Sequence, residues 1–418
     1  MTASHFGELA SRTSKHGGEL ASRTSKHVLI SGAGIAGPAL AYWLHRYGFR
    51  PTVVERAPSV RDGGYAVDFR GPVHLDLLGR MGLFDAVERA RTGTGDLWYV
   101  NARGRRVARM PAEQTGGDLE VLRGDLVHIL YEATKDDVEY LFGDSVTAIA
   151  DDTDGVRVTF ERAAPRTFDL VVGADGLHSR VRALAFGPEA TYLRHLGLYC
   201  AIFTAPNYLD LDHTGLLYVQ PPGRVVGVWS ARGNTEARVL LYFASPLLTY
   251  DRDNLAEQRA IVSRAFAGVG WETPRLLELM ATAPDLYLDS VSQVKMDTWT
   301  RDRVALLGDA GYCPSSLSGM GTGLGIVGAY VLAGELAAAR GDHRVAFPRY
   351  EATLRSYVEG CQKLADGVAG FMVPSSRFVA AFVRMNFRLL RYLPYLRDMP
   401  GRMARRAASA ITLPPYPG

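Results

Sequence analysis

Apolar and polar positions along the 418-residue chain follow more than one pattern. The first begins with an apolar run at residues 27–31, passes through a glycine-rich turn into a helical pattern at 37–47, and returns to an apolar run at 51–55. Strand, helix and strand in this order predict a βαβ unit with parallel strands. Alternation within residues 144–172 predicts strands that return to the same sheet, and the apolar run that starts at Val304 predicts one more.

The stretch between residues 188 and 300 has a different character. Short alternating runs such as 216–220 and 225–230 are typical of an antiparallel sheet, with helical patterns at 255–267 and 274–283. The chain therefore predicts an α/β fold: a Rossmann-like domain, an inserted antiparallel-sheet domain and a C-terminal helical segment. The predicted boundaries are 28–187 with 301–340 for the first domain, 188–300 for the second and 341–418 for the helices.

The first 27 residues contain a repeat. The sequence GELASRTSKH occurs at residues 7–16 and again at 18–27, directly before the first predicted strand. We interpret residues 1–27 as a tag-like or disordered duplicated segment outside the fold, with a lid over the active site as the alternative.

Composition narrows the class of protein. Hydrophobic residues make up 47% and charged residues 22% of the chain, and the net charge is only +3. These values are typical of a globular protein with a sizeable core and do not indicate a nucleic-acid partner. The three cysteines, Cys200, Cys313 and Cys361, have no metal-binding spacing, which favours a reducing cytoplasm and no structural zinc. No run reaches about 18 uninterrupted apolar residues, so we expect no membrane-spanning helix.

The segment at residues 376–410 is rich in arginine, with eight arginines against Asp398 as its one acid. We expect a long capping helix with a solvated basic face. A helix lying on a membrane surface is the alternative.

The first motif with chemical content is the turn after the first strand. Gly32, Gly34 and Gly37 form a GxGxxG pattern that opens a helix, and Glu55 ends the next strand. Gly32 permits a tight turn, Gly34 a close approach of a diphosphate, and Gly37 close packing of helix on strand. The helix N-terminus attracts the diphosphate, and an acid at Glu55 can bind ribose hydroxyls. This context predicts a dinucleotide site without separating FAD from NAD.

Two further motifs follow. DLVVGADGLHSRVR contains Asp175, Arg180 and Arg182 at the end of a predicted strand, which an ordinary strand-to-helix turn could also explain. GDAGYCPSSLSGMGTG places Asp309 after an apolar run and glycines before a helix. The acid suits a ribityl hydroxyl and the helix start suits developing negative charge.

In this order and spacing, the three motifs resemble those of the group A flavin-dependent aromatic hydroxylases, the family typified by para-hydroxybenzoate hydroxylase. The resemblance covers about residues 28–365 and is closest to the branch that includes the tetracycline-modifying monooxygenases, and to hydroxylases of polyketide tailoring. It implies bound FAD, held by a set of motif residues: Gly32, Gly34, Ile35, Ala36, Gly37, Glu55, Arg56, Asp68, Arg123, Asp175, Gly308, Asp309, Pro314, Gly319, Gly321 and Gly323.

The resemblance also assigns roles within this set. Glu55 would bind the adenosine ribose, Arg56 would lie beside the adenine, and Asp309 would bind the ribityl chain. Pro314 and the glycines at 319–323 would lie against the isoalloxazine. NAD(P)H would be the reductant, with Arg61, Arg180 and Arg182 as its expected contacts and no separate nicotinamide domain.

In such enzymes NAD(P)H reduces the flavin, O2 adds at C4a, and the hydroperoxide transfers OH to an electron-rich substrate. The flavin carries this chemistry, so we expect no catalytic protein nucleophile and no metal. The substrate would be an aromatic or polyketide-type small molecule, lying against Tyr199, Phe203, Tyr218, Trp229 and Tyr242 of the second domain, although aromatic residues on a sheet are core residues more often than ligand contacts. We expect a cytoplasmic monomer or homodimer.

Two positions depart from the family pattern. Tyr312 stands where many relatives have histidine, and Met320 replaces a common glutamine and is expected near the flavin edge. Some flavoproteins of this fold are redox-neutral FAD-dependent cyclases, in which the pocket promotes cycloaddition by proximity and orientation. The sequence therefore leaves a polyketide cyclase as the alternative to the hydroxylase.

Overall fold

The computed structural model describes residues 26–61, 63–112, 117–366, 368–390 and 399–416. The expectation about the duplicated segment lies outside the described residues, except for Lys26 and His27. The strands are β1 (His27–Ser31), β2 (Arg50–Glu55), β3 (Ala66–Phe69), β4 (Leu97–Val100), β5 (Arg106–Met110), β6 (Leu119–Leu122), β7 (Glu139–Phe142), β8 (Val146–Asp152), β9 (Gly155–Phe160), β10 (Arg166–Phe168), β11 (Leu170–Gly173), β12 (Leu193–Pro206), β13 (Gly215–Gln220), β14 (Arg224–Ala231), β15 (Glu236–Ala244), β16 (Tyr287–Val294), β17 (Thr300–Arg301) and β18 (Val304–Leu306).

Helices connect these strands and form the C-terminal part of the chain. They are α1 (Ala36–Arg46), α2 (Gly71–Arg80), α3 (Phe84–Arg89), α4 (Arg123–Glu132), α5 (Arg180–Ala185), α6 (Leu255–Ala265), α7 (Thr273–Thr282), α8 (Asp309–Tyr312), α9 (Gly321–Ala338), α10 (His343–Asp366), α11 (Ala369–Met372), α12 (Arg377–Leu390) and α13 (Met399–Ala408). Short 3-10 turns occur at Glu189–Thr191 and Ser316–Ser318.

The first sheet has the order β17-β18-β11-β1-β2-β7 and is parallel except for the β17–β18 pair. Its central strands are apolar on both faces, as parallel strands covered by helices must be. They form one core with α1, α9 and α10. Because parallel strands end at the same edge, the turns after β1, β11 and β18 meet there. These turns contain the three sequence motifs.

The second large sheet has the order β16-β12-β15-β14-β13-β4-β5. It is antiparallel except for the β13–β4 pair. One face packs on α6 and α7, and the other faces the first domain and α12. The predicted α/β fold is confirmed, with one difference: β4 and β5 come from residues 97–110, outside the predicted span 188–300.

Two smaller sheets complete the described fold. The predicted strands at 144–172 mostly do not return to the first sheet, because β8, β9 and β10 form an antiparallel sheet of their own and only β11 joins the first. Strands β3 and β6 pair antiparallel next to the third motif's helix α9.

Among the described helices, α9 is long and apolar enough to cross a membrane by length and composition. It is 78% buried inside the protein, between α1 and α10, so it serves here as a core helix.

Candidate functional site

The turn between β1 and α1 can be built only with glycine at two positions. Gly32 has φ +108°, and a Cβ there would lie 2.5 Å from the Ala174 carbonyl oxygen. A Cβ at Gly37 would lie 1.9 Å from the Gly32 carbonyl oxygen. At Gly34 the sole described atom within 4 Å of a Cβ is a guanidinium nitrogen of Arg123, at 3.5 Å. The chain is thus closed around Gly32 and Gly37 but open in front of Gly34, where a diphosphate would approach.

Glu55, at the end of β2, is fixed against this turn. One carboxylate oxygen accepts a hydrogen bond from the Ala33 N–H at 2.8 Å and the other from the Ala57 N–H at 2.9 Å. The carboxylate therefore lies at the edge of the glycine turn.

Arg123, the first residue of α4, is half-buried between Gly34 and Gly64. Among the described residues its guanidinium makes no hydrogen bond and no close ion pair. At longer range its charge partly offsets the rise in the pKa of Asp309 that burial causes. A partly buried arginine without a hydrogen-bonded partner beside a glycine cradle fits an anionic ligand.

In the second motif, Asp175 stabilises the start of the helix that follows it. Asp175 accepts hydrogen bonds from the N–H groups of Arg180 at 2.8 Å and Val181 at 3.1 Å and from the Ser179 hydroxyl, so it caps α5. Burial raises the pKa of Asp175. This local cap explains why an acid is needed in the turn independently of any ligand.

The three arginines expected to contact nicotinamide lie in different environments. Arg180 is exposed, and Arg61 lies 3.4 Å from Glu55. Arg182 is fully buried and donates to the carbonyls of Ala310 at 2.9 Å and Leu177 at 2.7 Å. Arg182 therefore has no surface for a nicotinamide; it ties the second motif to the third. Arg56, assigned to the adenine, is exposed and pairs with Asp253 at 3.2 Å.

The third motif combines a half-buried acid with a strained loop. Gly308 has φ +63°, and Asp309 begins α8, where burial raises the pKa of its carboxyl. Ser315 and Gly319 also have positive φ, and the backbone carbonyl of Pro314 faces the Gln293 side chain at 3.4 Å.

The start of α9 lies beside this acid. A Cβ at Gly321 would lie 3.7 Å from a carboxylate oxygen of Asp309, so acid and helix start are adjacent. Gly323 has a different reason to be glycine, because a Cβ there would lie 2.0 Å from the buried ring of His74. The remaining position, Ala36, packs with its Cβ 3.3 Å from the Cβ position of Gly308, and Ile35 precedes α1.

A cavity of about 320 Å³ opens beside Asp309. Three parts of the fold bound it: the third motif, the β3–β6 pair and the inner face of the seven-stranded sheet. Its aromatic and apolar wall consists of Tyr65, Leu97, Leu177, Ile202, Trp229, Leu240, Tyr242 and Tyr287. Its polar groups include Asp68, Thr94, Glu120, Asp289, Ser290 and Ser292.

Two of the five predicted substrate residues, Trp229 and Tyr242, line this cavity. The prediction is wrong for Tyr199, Phe203 and Tyr218, which lie on the opposite face of the sheet in the core with α6 and α7. Side chains alternate along a strand, so a shift of one residue reverses the face. On β12 the cavity is lined by Cys200 and Ile202 instead. Both faces are apolar, and the sequence could not tell which of them meets the cavity.

Asp68 does lie in the cavity wall, held by the Gly117 N–H and by Arg70, each at 2.7 Å. Its neighbour Glu120 was not predicted from the sequence. Burial, and then the charge of Asp68, raise the pKa of Glu120. No sequence motif marks Glu120; its position follows from the pairing of β3 with β6.

A second feature that sequence reasoning missed is a charged cluster at the other end of the cavity. His178 lies 2.9 Å from both Asp289 and Glu189. Burial alone would lower the pKa of His178, but the hydrogen bonds to these two carboxylates outweigh it and raise that pKa. The Tyr287 hydroxyl donates to Asp289 at 2.8 Å, so its lone pairs remain able to accept from a ligand.

The two departures from the family pattern lie in the core. Tyr312 is fully buried, with its hydroxyl 3.0 Å from that of Tyr350 and its ring 4.6 Å from that of Trp299. Met320 is also fully buried and belongs to the core of the first domain, not to the cavity wall. The expectation that Met320 lies near the flavin edge stays a prediction, and packing in the core accounts for the side chains of both residues.

These residues fit FAD. The open space at Gly34, the Arg123 guanidinium without a hydrogen-bonded partner and the half-buried Asp309 at the mouth of an apolar cavity supply a diphosphate cradle, a cation and an acceptor for hydroxyls. Within the described residues, no cluster of three or more His, Cys, Asp or Glu could hold a metal ion.

Comparison with known proteins gives consistent matches. A family model described as "FAD binding domain" matches residues 25–371. An uncharacterised protein of Mycobacterium tuberculosis is 48% identical over 359 residues, covering 84% of this chain and 96% of that protein. A flavin-dependent monooxygenase of Legionella longbeachae is 39% identical over 393 residues, covering 93% and 98%. The crystal structure of tetracycline destructase Tet(55) matches with a TM-score of 0.80 at 38% identity, covering 94% of this chain and all of that one.

Proposed function

This chain belongs to the FAD-binding-domain family of flavin-dependent monooxygenases, and on that premise we propose that it hydroxylates an aromatic or polyketide-type compound with NAD(P)H and O2. The observation that carries the proposal is the cavity between the third motif and the inner sheet face. An apolar, aromatic-lined site with a few convergent polar groups suits a polycyclic ligand better than a small charged acid.

FAD binds to this chain, and we infer that the turn at Gly32–Gly37, Arg123 and Asp309 hold it. When bound, it supplies the acceptor for hydride from NAD(P)H and the activation of O2. The protein's contribution is to bind, orient and exclude water. The N-terminus of α9 stabilises negative charge that develops nearby, since its first N–H groups have no partners within the helix.

The substrate class receives support from a relative. Tet(55), matched over its full length, is a tetracycline destructase. We infer that a compound of similar polycyclic character lies against Trp229 and Tyr242, with the Tyr287 hydroxyl accepting a hydrogen bond from one of its hydroxyls. Asp289, which also pairs with His178, accepts a hydrogen bond from the Tyr287 hydroxyl and so orients it.

Rapid mixing of the holoenzyme with NADPH, with and without tetracycline, tests the proposal. We expect tetracycline to accelerate bleaching of the flavin absorbance, O2 to restore it, and a product one oxygen heavier to appear by mass spectrometry. Bleaching that no polycyclic phenol accelerates would contradict the substrate class. Product formed without O2 or reductant would favour the cyclase alternative, which no observation in this fold supports.

Removing the carboxylate of Asp309 tests the cofactor assignment. We expect Asp309→Ala to weaken FAD binding by about 1.5–3 kcal/mol, roughly tenfold to a hundredfold in Kd, because hydrogen bonds to a charged group are lost. Flavin absorbance per mole of protein after gel filtration measures this. Asp154→Ala, an exposed acid in a turn, is the matched control and should retain full FAD. Equal flavin content in both variants would show that Asp309 does not bind FAD.

A further inference from the structure

Helix α12 has two apolar faces where a surface helix of a globular protein normally has one. Ala380 and Val383 are 2% and 3% exposed and pack against the inner face of the seven-stranded sheet. On another side, Phe378 is 88%, Phe382 59% and Met385 49% exposed. Among the described residues, Phe378 is the most exposed large apolar side chain.

These three exposed residues form one stripe. Positions 378, 382 and 385 have the i, i+4, i+7 spacing that aligns side chains along a single helix face. Val379 adds to it at 39% exposed. Scattered exposed apolar residues are normal, but an aligned stripe with two phenylalanines marks an interaction surface.

The charge of this segment identifies the partner. The 14 residues of α12 contain three arginines, Arg377, Arg384 and Arg388, and no acid, so this helix alone carries a charge of +3, as large as the net charge of the whole chain. An apolar stripe within a basic segment is the composition of helices that lie in the headgroup region of an anionic lipid bilayer. We propose that α12 attaches this enzyme peripherally to anionic membranes.

Two other occupants are less compatible with the chain. A second copy docked on the same face would bring two arginine-rich segments together, and like charges across an interface are unfavourable. A membrane-spanning role does not suit α12, because Arg377, Arg384 and Arg388 lie within its 14 residues and a span requires roughly 20 predominantly apolar ones. The sequence-based expectation of a capping helix with a solvated basic face did not take the exposed phenylalanines into account.

The position of α12 connects the membrane to the cavity. Its inner residues Ala380 and Val383 belong to the same apolar cluster as Cys200, Ile202 and Tyr242, which line the cavity. The helix therefore lies between the proposed lipid surface and the substrate site. Apolar compounds that partition into the bilayer would reach the cavity from this side.

Co-sedimentation of the purified holoenzyme with lipid vesicles tests the proposal. We expect binding to vesicles of phosphatidylcholine mixed with phosphatidylglycerol, and weaker binding to phosphatidylcholine alone. Raising the salt from about 0.1 M to about 1 M shortens the Debye length to about 3 Å and should release much of the protein. The salt dependence distinguishes electrostatic binding to anionic lipid from purely apolar adsorption.

The decisive variant is Phe378→Ser with Phe382→Ser, which removes exposed side chains only. We expect vesicle affinity to fall by about tenfold or more, with flavin content and gel-filtration volume unchanged. Leu247→Ser is the matched control, since Leu247 is 60% exposed in a loop elsewhere, and it should bind vesicles like the wild type.

Three results would overturn the proposal. If the wild-type protein stays in the supernatant with anionic vesicles, it does not bind anionic membranes. If the Leu247 variant and the phenylalanine variant lose the same vesicle affinity, the protein adsorbs to vesicles without using the stripe. If sedimentation velocity shows a dimer for the wild type and a monomer for the phenylalanine variant, the stripe binds a second copy of this chain.

Discussion

Gly37→Ala is expected to abolish FAD binding and to destabilise the fold by about 3 kcal/mol or more. The new Cβ would lie 1.9 Å from the Gly32 carbonyl oxygen, which is backbone in a turn that is itself fixed by contact with Ala174. No side chain can move aside, so α1 must separate from β1. Flavin content after gel filtration and the thermal midpoint measure the two losses.

The matched control for this variant is Gly360→Ala in α10. A Cβ at Gly360 meets nothing within 4 Å, and alanine is favoured over glycine in a helix by up to about 1 kcal/mol. We therefore expect Gly360→Ala to leave FAD bound and to raise the thermal midpoint. The two substitutions are chemically identical, and effects of the same sign would contradict the packing argument.

Gly34→Ala separates folding from binding. Its Cβ would touch only the Arg123 guanidinium at 3.5 Å, so the apoprotein should unfold at the wild-type midpoint. FAD affinity should nevertheless fall, because the added methyl group occupies the space in front of the cradle. If Gly34→Ala retained wild-type FAD affinity, the diphosphate would not approach the turn at that residue.

The fold around the first motif was predictable because its causes are local. An apolar strand, a turn that only glycine can build and an acid at the end of the next strand each have one structural solution. The same holds for Asp309, which follows an apolar strand and precedes a glycine-rich helix start. Local steric and hydrogen-bonding demands of this kind are visible in a single sequence.

The cavity wall was only partly predictable because it depends on long-range pairing. Strand β4 joins the second sheet by parallel pairing with β13, more than a hundred residues later in the chain, and nothing in its local pattern indicates that partner. The correct face of β12 was equally invisible, since Tyr199 and Cys200 differ by one position but lie on opposite faces. Glu120 and Asp289 reach the cavity through such pairings and not through motifs.

Arg182 shows a third limit. Its place in a cofactor motif predicted a ligand contact, but the arginine is fully buried and used within the protein. It donates to Ala310 and Leu177 and lies 3.3 Å from Glu189. A motif residue can thus be required because it joins two cofactor loops rather than because it touches the cofactor.

Arg182→Met is expected to destabilise the holoenzyme by about 2–4 kcal/mol, because the carbonyls of Ala310 and Leu177 lose their donor and methionine supplies none. Methionine fills much of the same volume. It also avoids the cost of burying a charged guanidinium, a cost that is visible in the pKa of Arg182, which burial lowers. The lost hydrogen bonds outweigh that gain, since the buried carbonyl of Ala310 is left without this donor and the partly buried carbonyl of Leu177 loses its own. Urea denaturation at saturating FAD measures the change without the contribution of cofactor loss.

Arg252→Met is the matched control, because Arg252 pairs with the same Glu189 at 3.0 Å but is 47% exposed. We expect its cost to stay within about 1 kcal/mol, as for other solvent-exposed ion pairs. Glu189 remains ionised in both variants: burial alone would raise the pKa of Glu189, but His178 and Arg252 outweigh it and lower that pKa to about 2 in the wild type. A larger loss in Arg252→Met than in Arg182→Met would mean that the Glu189 ion pairs, and not the carbonyl contacts of Arg182, hold the second and third motifs together.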